Sequence, residues 1–339
     1  MTRSRGGPGL ARRPDRARGA EPMLGLIVLL QTLMLALSGP PTSTEYLPIR
    51  VAEAEGYFTE EGLAVTVKTT RAESGAAEAL AQGQADIVAT TLEAVLRFGL
   101  RASSQAPRLV FGLTAAPPVA LLVGAPHAGT VRSIEDLSAL RVGVTTPGAP
   151  EHAWFGWLLA RAGVSVAQVR VTSLGGRGLI AAIDSGEVHV ALVQEPMATQ
   201  LLGQGRAKLL ADFRTPRAAA ATLGAATVNA AVFARADRRP PDRALSALVR
   251  ALRKAEQRIQ TAEAKELAGR LPTRVVGGDS EEFEARLAAS RTLYLPDGVV
   301  SADQVQQTIA IIRAHTPLPQ SVRIPRPEEM LQIKPPTAR

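Results

Sequence analysis

At 339 residues the chain exceeds the size at which a single core usually stops growing, and a 46% hydrophobic share with only 4% aromatics predicts an interior of Ala, Leu and Val. The formal charge of +8 does not point to nucleic acid: residues 1–22 hold six Arg against two acids, half of the excess, and no other basic run is interleaved with aromatics. The lack of cysteine excludes disulfides, thiolate metal sites, a Cys nucleophile and a lipid-modified N-terminal Cys, and four His without HxxxH-like spacing predict neither a metal site nor a cofactor.

Residues 1–22, rich in Arg, Gly and Pro, read as a disordered or targeting tail. Residues 23–37 are apolar except Gly25, Gln31 and Thr32, and fall short of the roughly 18 residues that cross a bilayer. Two readings compete for them. A basic stretch, an apolar stretch and small residues at Ala36 and Ser38 resemble a secretory signal cleaved after Ser38. Alternatively, residues 33–37 form a first buried strand closed by the turn Gly39-Pro40-Pro41. Cleavage would remove that strand and leave its neighbours' backbone unpaired, so both cannot hold fully.

Residues 43–56 then read as a helix capped by Thr42 or Ser43, with Glu45 or Tyr46 in its first turn. An edge strand at 64–68 follows, then a helix at 74–81, a strand at 87–89, a helix at 92–100 and a strand at 108–113. Ala115-Ala116-Pro117-Pro118 reads as a crossing between lobes. Strands at 119–123, 141–144, 169–173 and 188–193 alternate with a short helix at 133–137 and helices at 152–162 and 179–185. Residues 225–233 read as a returning crossover strand. From Asp242 onward the apolar stripes of Leu245, Leu248, Val249, Leu252 and Ile259, of Phe283 and Leu287, and of Val305 and Ile309 predict a helical end. Residues 317–339 are Pro-rich and predict an extended wrap.

Residues 78–89 and 181–191 repeat one pattern: a last helical turn, a glycine suited to positive φ, then a buried apolar strand. A twice-used αβ unit predicts two similar lobes with a ligand cleft between them.

Tyr46-Leu47-Pro48-Ile49, Ala52 and the run from Glu55 through Gly56-Tyr57-Phe58 to Gly62-Leu63 resemble the opening signature of bacterial ABC-importer solute-binding proteins. The branch is the one handling nitrate, taurine, alkanesulfonates and thiamine pyrimidine precursors. Ala79-Leu80, Gly83, Ala85-Asp86-Ile87, residues 137–148 and Gln194-Glu195-Pro196 resemble its later motifs. The resemblance spans about residues 33–307 and implies an α/β, two-lobed type 2 periplasmic-binding-protein fold with two crossover strands. One lobe would take residues 23–117 and 228–339, and the other residues 118–227. It further implies a small organic or anionic nutrient held between lobes and an ABC permease with its ATPase as partner. The protein would be monomeric and peripheral to the membrane, in the periplasm or outside the cell. His189 departs from the Asp usual at its position.

Helix N-termini favour oxyanions through unpaired amides and the macrodipole. Three such ends are predicted to face the cleft: Thr42-Ser43-Thr44 with Tyr46 in the following turn, Thr90-Thr91 before Leu92, and Thr146-Pro147-Gly148. Ordinary capping is the competing reading for each. Gln194 and Glu195 are candidates for a ligand amine or hydroxyl, His152 for a donor, and Thr114 and Asn229 for the cleft floor. Trp154, Phe155 and Trp157 read as core, Trp154 alternatively as cleft wall, and Arg177 as a solvated loop residue, alternatively as an anion partner. An enzyme resembling fungal thiamine-pyrimidine synthases is the competing function, against which stands the missing Cys-rich motif. A cytoplasmic sensor follows if Met23 is the true start.

Overall fold

The computed structural model describes residues 2, 31–100, 102–145, 151–320 and 323–331. Its strands are β1 (Gln31–Leu37), β2 (Leu63–Thr69), β3 (Ile87–Thr91), β4 (Pro107–Gly112), β5 (Val119–Gly124), β6 (Arg141–Val144), β7 (Arg170–Ser173), β8 (Val190–Gln194), β9 (Ala207–Asp212) and β10 (Ala230–Arg235). The helices are α1 (Leu47–Ala54), α2 (Tyr57–Glu60), α3 (Glu73–Ala81), α4 (Leu92–Phe98), α5 (Glu151–Arg161), α6 (Gly175–Ser185) and α7 (Met197–Gly203), then α8 (Pro216–Leu223), α9 (Asp242–Thr261), α10 (Ala264–Arg270), α11 (Thr273–Val276), α12 (Ser280–Ser290), α13 (Ala302–His315) and α14 (Pro327–Met330). Two sheets result, ordered β2-β1-β3-β10-β4 and β7-β6-β8-β5-β9. In each, one strand delivered by the chain from the other half, β10 or β5, runs antiparallel between its neighbours.

Period-2 alternation explains the layering. Leu33, Leu35 and Leu37 of β1 pack with Ile87 and Ala89 of β3 against α1 and α9, whereas Ala36 and Val88 point to the opposite layer with α3 and α4. In the second sheet Ala120, Leu122, Ala191 and Val193 face α6 and α7, and Leu121, Val123, Val190 and Leu192 face the side of α5. The competition at the N-terminus is thereby decided for residues 31–37. They form a strand paired in parallel with β2 and β3, so cleavage after Ser38 would strip a central strand from the sheet. Residues 3–30, including the first part of the apolar run, lie outside the described residues.

The sequence repeat is a structural repeat. Gly83 (φ 69°) and Gly186 (φ 75°) each turn the chain out of a helix into a central strand. Three residues on, Asp86 accepts a hydrogen bond from the β1 amide of Met34 at 2.7 Å, and His189 accepts one at Nδ1 from the β6 amide of Arg141 at 3.3 Å. His189 therefore performs in the second sheet the task that a carboxylate performs in the first, with His127 stacked on it at 4.3 Å between ring centroids.

Some elements depart from expectation. The α1 helix starts at Leu47, not near Ser43, because Pro48 sits in its first turn and the preceding residues make turns instead. Residues 197–223 hold α7, β9 and α8, where no element was predicted, and α10 and α11 add to the helical end. The return strand starts at Ala230, five residues later than read. Residues 302–315 form the strap α13, which packs on α4 of one lobe and α5 of the other. No helix among the described residues is long and apolar enough to cross a membrane.

Candidate functional site

A cavity of about 310 Å³ opens between the two sheets. Gly39 and Pro40 reach it just past β1, Thr91 at the end of β3, Thr145 past β6 and Gln194 at the end of β8, so the carboxyl ends of four parallel strands converge on one space. Open α/β sheets place ligands at such edges. The crossing chains form the back wall with Pro117, Pro118 and Asn229. They are joined to each other, since the Asn229 amide donates to the Thr114 carbonyl at 2.7 Å and Thr227 Oγ1 to the Ala115 carbonyl at 2.8 Å. From the strap α13, Thr308 Oγ1 accepts from the Val228 amide at 2.9 Å.

Of the residues singled out in the sequence, Thr42, Ser43, Thr44, Thr91, Gln194, Glu195 and Asn229 all line this cavity. Tyr46, Thr90 and Thr114 stand behind the wall. Tyr46 OH donates to both Glu73 oxygens at 2.8 and 2.9 Å, Thr90 Oγ1 donates to Glu73 Oε2 at 2.6 Å, and Thr114 Oγ1 accepts from the Ala230 amide. His152 is half-buried outside the lining, with burial lowering its pKa. Trp154 and Phe155 are core, Trp157 packs edge-on to His315, and Arg177 is exposed. Thr146 and Gly148 lie outside the described residues.

Two of the three expected helix ends are otherwise occupied. Thr42-Ser43-Thr44 precedes α1 as turns, not as its cap: the Thr42 carbonyl accepts from Arg286 and that of Thr44 from Tyr294 OH at 2.6 Å. At α4, Thr91 Oγ1 caps the Ala94 amide at 3.2 Å and the Thr91 amide donates to Glu73 at 3.1 Å. The first turns of α3, α4 and α5 carry Glu73, Glu93 and Glu151, so the protein's own carboxylates meet the positive helix ends.

The cavity is consequently acidic. Glu45, Glu73, Glu151, Glu195 and Glu282 line it, with Arg286 as the cation of the lining. Burial raises Glu45 well above the usual carboxylate range, with Glu73 and Glu151 adding repulsion; its Oε1 accepts from Asn229 Nδ2 at 2.8 Å. Burial likewise raises Glu151, whose Oε1 accepts from Thr145 at 3.1 Å, and pushes Glu93 up to about 7 despite Arg97. Glu195 is neutralised by Arg214 at 2.9 Å and Arg286 hydrogen-bonds the carbonyls of Thr42, Val275 and Val276. Sequence reasoning did not single out Glu73, Glu151, Glu282 or Arg286 and treated Glu45 only as a helix-start residue. An acid in a first helical turn is an ordinary dipole partner, and no local pattern marks an arginine that arrives from α12.

Residues 43–260 match the family model described as NMT1/THI5 like. Among solved structures, the chain is similar to a protein of Bordetella bronchiseptica RB50, at 26% identity over 88% of this chain and 94% of that one, with a TM-score of 0.67. It is also similar to the periplasmic aliphatic sulphonate binding protein SsuA from Escherichia coli, at 16% identity over 89% and 98% of the two chains, TM-score 0.69. The periplasmic nitrate-binding protein NrtA from Synechocystis PCC 6803 matches at 16% identity over 77% and 69%, TM-score 0.52. No curated protein matches the sequence. The fold is the two-lobed periplasmic-binding-protein architecture.

Proposed function

The chain belongs to the NMT1/THI5-like family, and on that premise we propose that it is the solute-binding component of an ABC-type importer, taking a small polar solute in the interlobe cavity and presenting it to a permease served by an ATPase. The observation that carries this reading is the convergence of both sheets' strand ends on one cavity of about 310 Å³. The similarity to the named sulphonate- and nitrate-binding proteins supports it.

The lobes, residues 23–117 with 228–339 and residues 118–227, would close on the solute by bending at Pro117-Pro118 and at residues 227–229. Those segments are the two chain crossings, and their mutual hydrogen bonds let them move as one joint. Closure requires the solute to favour the closed form; equal affinity for both forms shifts nothing. The protein would act outside the cytoplasm, as a monomer, without catalysing a reaction.

A thermal-shift screen across sulfonates, nitrate, carboxylates, pyrimidines and amines tests the reading. A solute at 100 times its dissociation constant should add about 2.7 kcal/mol of stability. Failure of every class to raise the unfolding midpoint would contradict it.

A further inference from the structure

We propose that the strap α13 is a brake on the hinge: it ties the lobes together on the side of the chain crossings away from the cavity and holds the cleft open until a solute closes it. This rests on the hinged-receptor reading above and adds what sets the hinge's resting position.

The strap starts from the first lobe. The Leu295 amide donates to the Leu113 carbonyl at 2.8 Å, and Val300 lies so close to Gly112 of β4 that a Cβ there would stand 2.4 Å from its side chain. Ser301 and Gln304 then open the helix with a capping box. The next turn grips the joint. Gln304 Nε2 donates to the Thr227 carbonyl at 3.2 Å, and Thr308 Oγ1 accepts from the Val228 amide at 2.9 Å. The far end lies on the second lobe, where His315 sits against Gly156 of α5, its Nδ1 only 2.6 Å from the place that a Cβ would take, and stacks edge-on with Trp157. Between these ends Val305, Ile309 and Ile312 form a buried stripe at helical spacing. They share one apolar cluster with Leu92 and Val95 of α4 and with Leu158 of α5.

Along the returning crossing, Val228 belongs to that apolar cluster and the next residue, Asn229, lines the cavity, so the cluster and the cavity lie on opposite sides of the joint. Among the described residues, none of α13 lines the cavity. A rotation about the crossings that narrows the cleft therefore widens the other side, where α13 spans α4 and α5. Apolar surface buried there is then partly returned to water. A solute must offset that cost before the closed form dominates, and its apparent affinity falls in proportion to the share of molecules closed without it. Loosening the strap from α5 should raise that share.

The test reads the cleft in the free protein. The chain has no cysteine, so Lys68→Cys on β2 and Thr172→Cys on β7 supply two labelling sites without background. Both positions are exposed, and each lies on the sheet edge farthest from the crossing strands β10 and β5. Spin-label distances are measured on this pair alone and combined with His315→Ala, which removes the strap's end contact, or Gly156→Ala, which drives a methyl into it. Unfolding midpoints show that each variant remains folded; His315 is only half-buried, so its truncation leaves the core intact.

The expected result is a short-distance population whose ratio to the long one grows about fivefold in both variants. Unchanged distances in both folded variants, or a shift to longer ones, would overturn the brake. Methanesulfonate, nitrate, benzoate and cytosine, added in turn to the labelled pair, test the receptor reading separately. Shortening by one of these solutes, with variants that leave the free distances unaltered, would overturn the brake and leave the receptor standing. Growth of the short population in the variants, with no response to any solute, would uphold the brake and count against the receptor.

Discussion

Asn229 donates from Nδ2 to Oε1 of Glu45 at 2.8 Å, joining the returning chain crossing to the turn that forms the first wall of the cleft. The two residues lie far apart in sequence, and the bond connects the chain crossing proposed as the joint to a carboxylate of the cavity wall. Asn229→Ala leaves Glu45 without its donor in a partly desolvated site. The cost should be about 1–3 kcal/mol in chemical denaturation, with solute binding weakened as well. A loss below a few tenths of a kcal/mol would mean that the bond has no structural part.

Stability should fall as pH rises from 5 to 9. Burial holds Glu93 near 7 and Glu256 near 9, the latter with Asp297 adding repulsion, against an ordinary value of 4.5. The folded protein therefore keeps protons that the unfolded chain gives up. The stabilisation is complete below about 4.5 and is lost as pH climbs through the raised values. Glu256→Gln removes the ionisation without changing shape. It should flatten the decline between pH 7 and 9, so that the variant gains about 2 kcal/mol on the unmodified protein over that span, as read from unfolding midpoints across pH.

Gly298 has φ of 65°, and a Cβ placed on it would stand 2.2 Å from the Phe111 ring. Gly298→Ala combines a left-handed backbone with a collision against the core of the first sheet. It should cost about 2–4 kcal/mol. Gly129→Ala, where a Cβ meets nothing within 4 Å, is the matched control and should change the midpoint little.

A chain beginning at Gly39 should not fold, because β1 supplies Leu33, Leu35 and Leu37 to the core and pairs with two strands. Circular dichroism of that truncation, beside one that keeps residues 23–38, checks the role of the segment. Within the intact chain, Leu35→Ala should cost about 2–5 kcal/mol as a cavity in a packed sheet. A cooperative transition from the chain beginning at Gly39 would show that the segment is dispensable, as a secretory signal would be.

The strands were legible where apolar runs are bounded by Gly and Pro: β6 matches its predicted span, and β2, β4 and β5 differ by one residue at most at either end. The stretch holding α7, β9 and α8 was not. It is rich in Ala, and β9 is an edge strand with exposed Lys208 and Leu209, so neither period rises above its background. The start of α1 was misplaced by Thr42 and Ser43, which resemble caps, although Pro48 was the better marker. At the cleft, Thr91, Gln194 and Asn229 were legible because strand ends are where such folds hold ligands. Glu195 was legible with them, but Glu73, Glu151 and Glu282 were not, because a glutamate in the first turn of a helix looks the same whether it serves the dipole or lines a cavity. Only the meeting of Glu45, Glu73 and Glu151 across two lobes separates the cases.

Small-angle scattering with and without a tight-binding solute tests the central claim most directly. The account predicts a smaller radius of gyration when the solute is bound, as the two lobes close over the cavity, and a smaller compaction at the same solute concentration in Asn229→Ala, whose binding is weakened. An identical radius in the free and fully bound protein would contradict closure around a solute in this cleft.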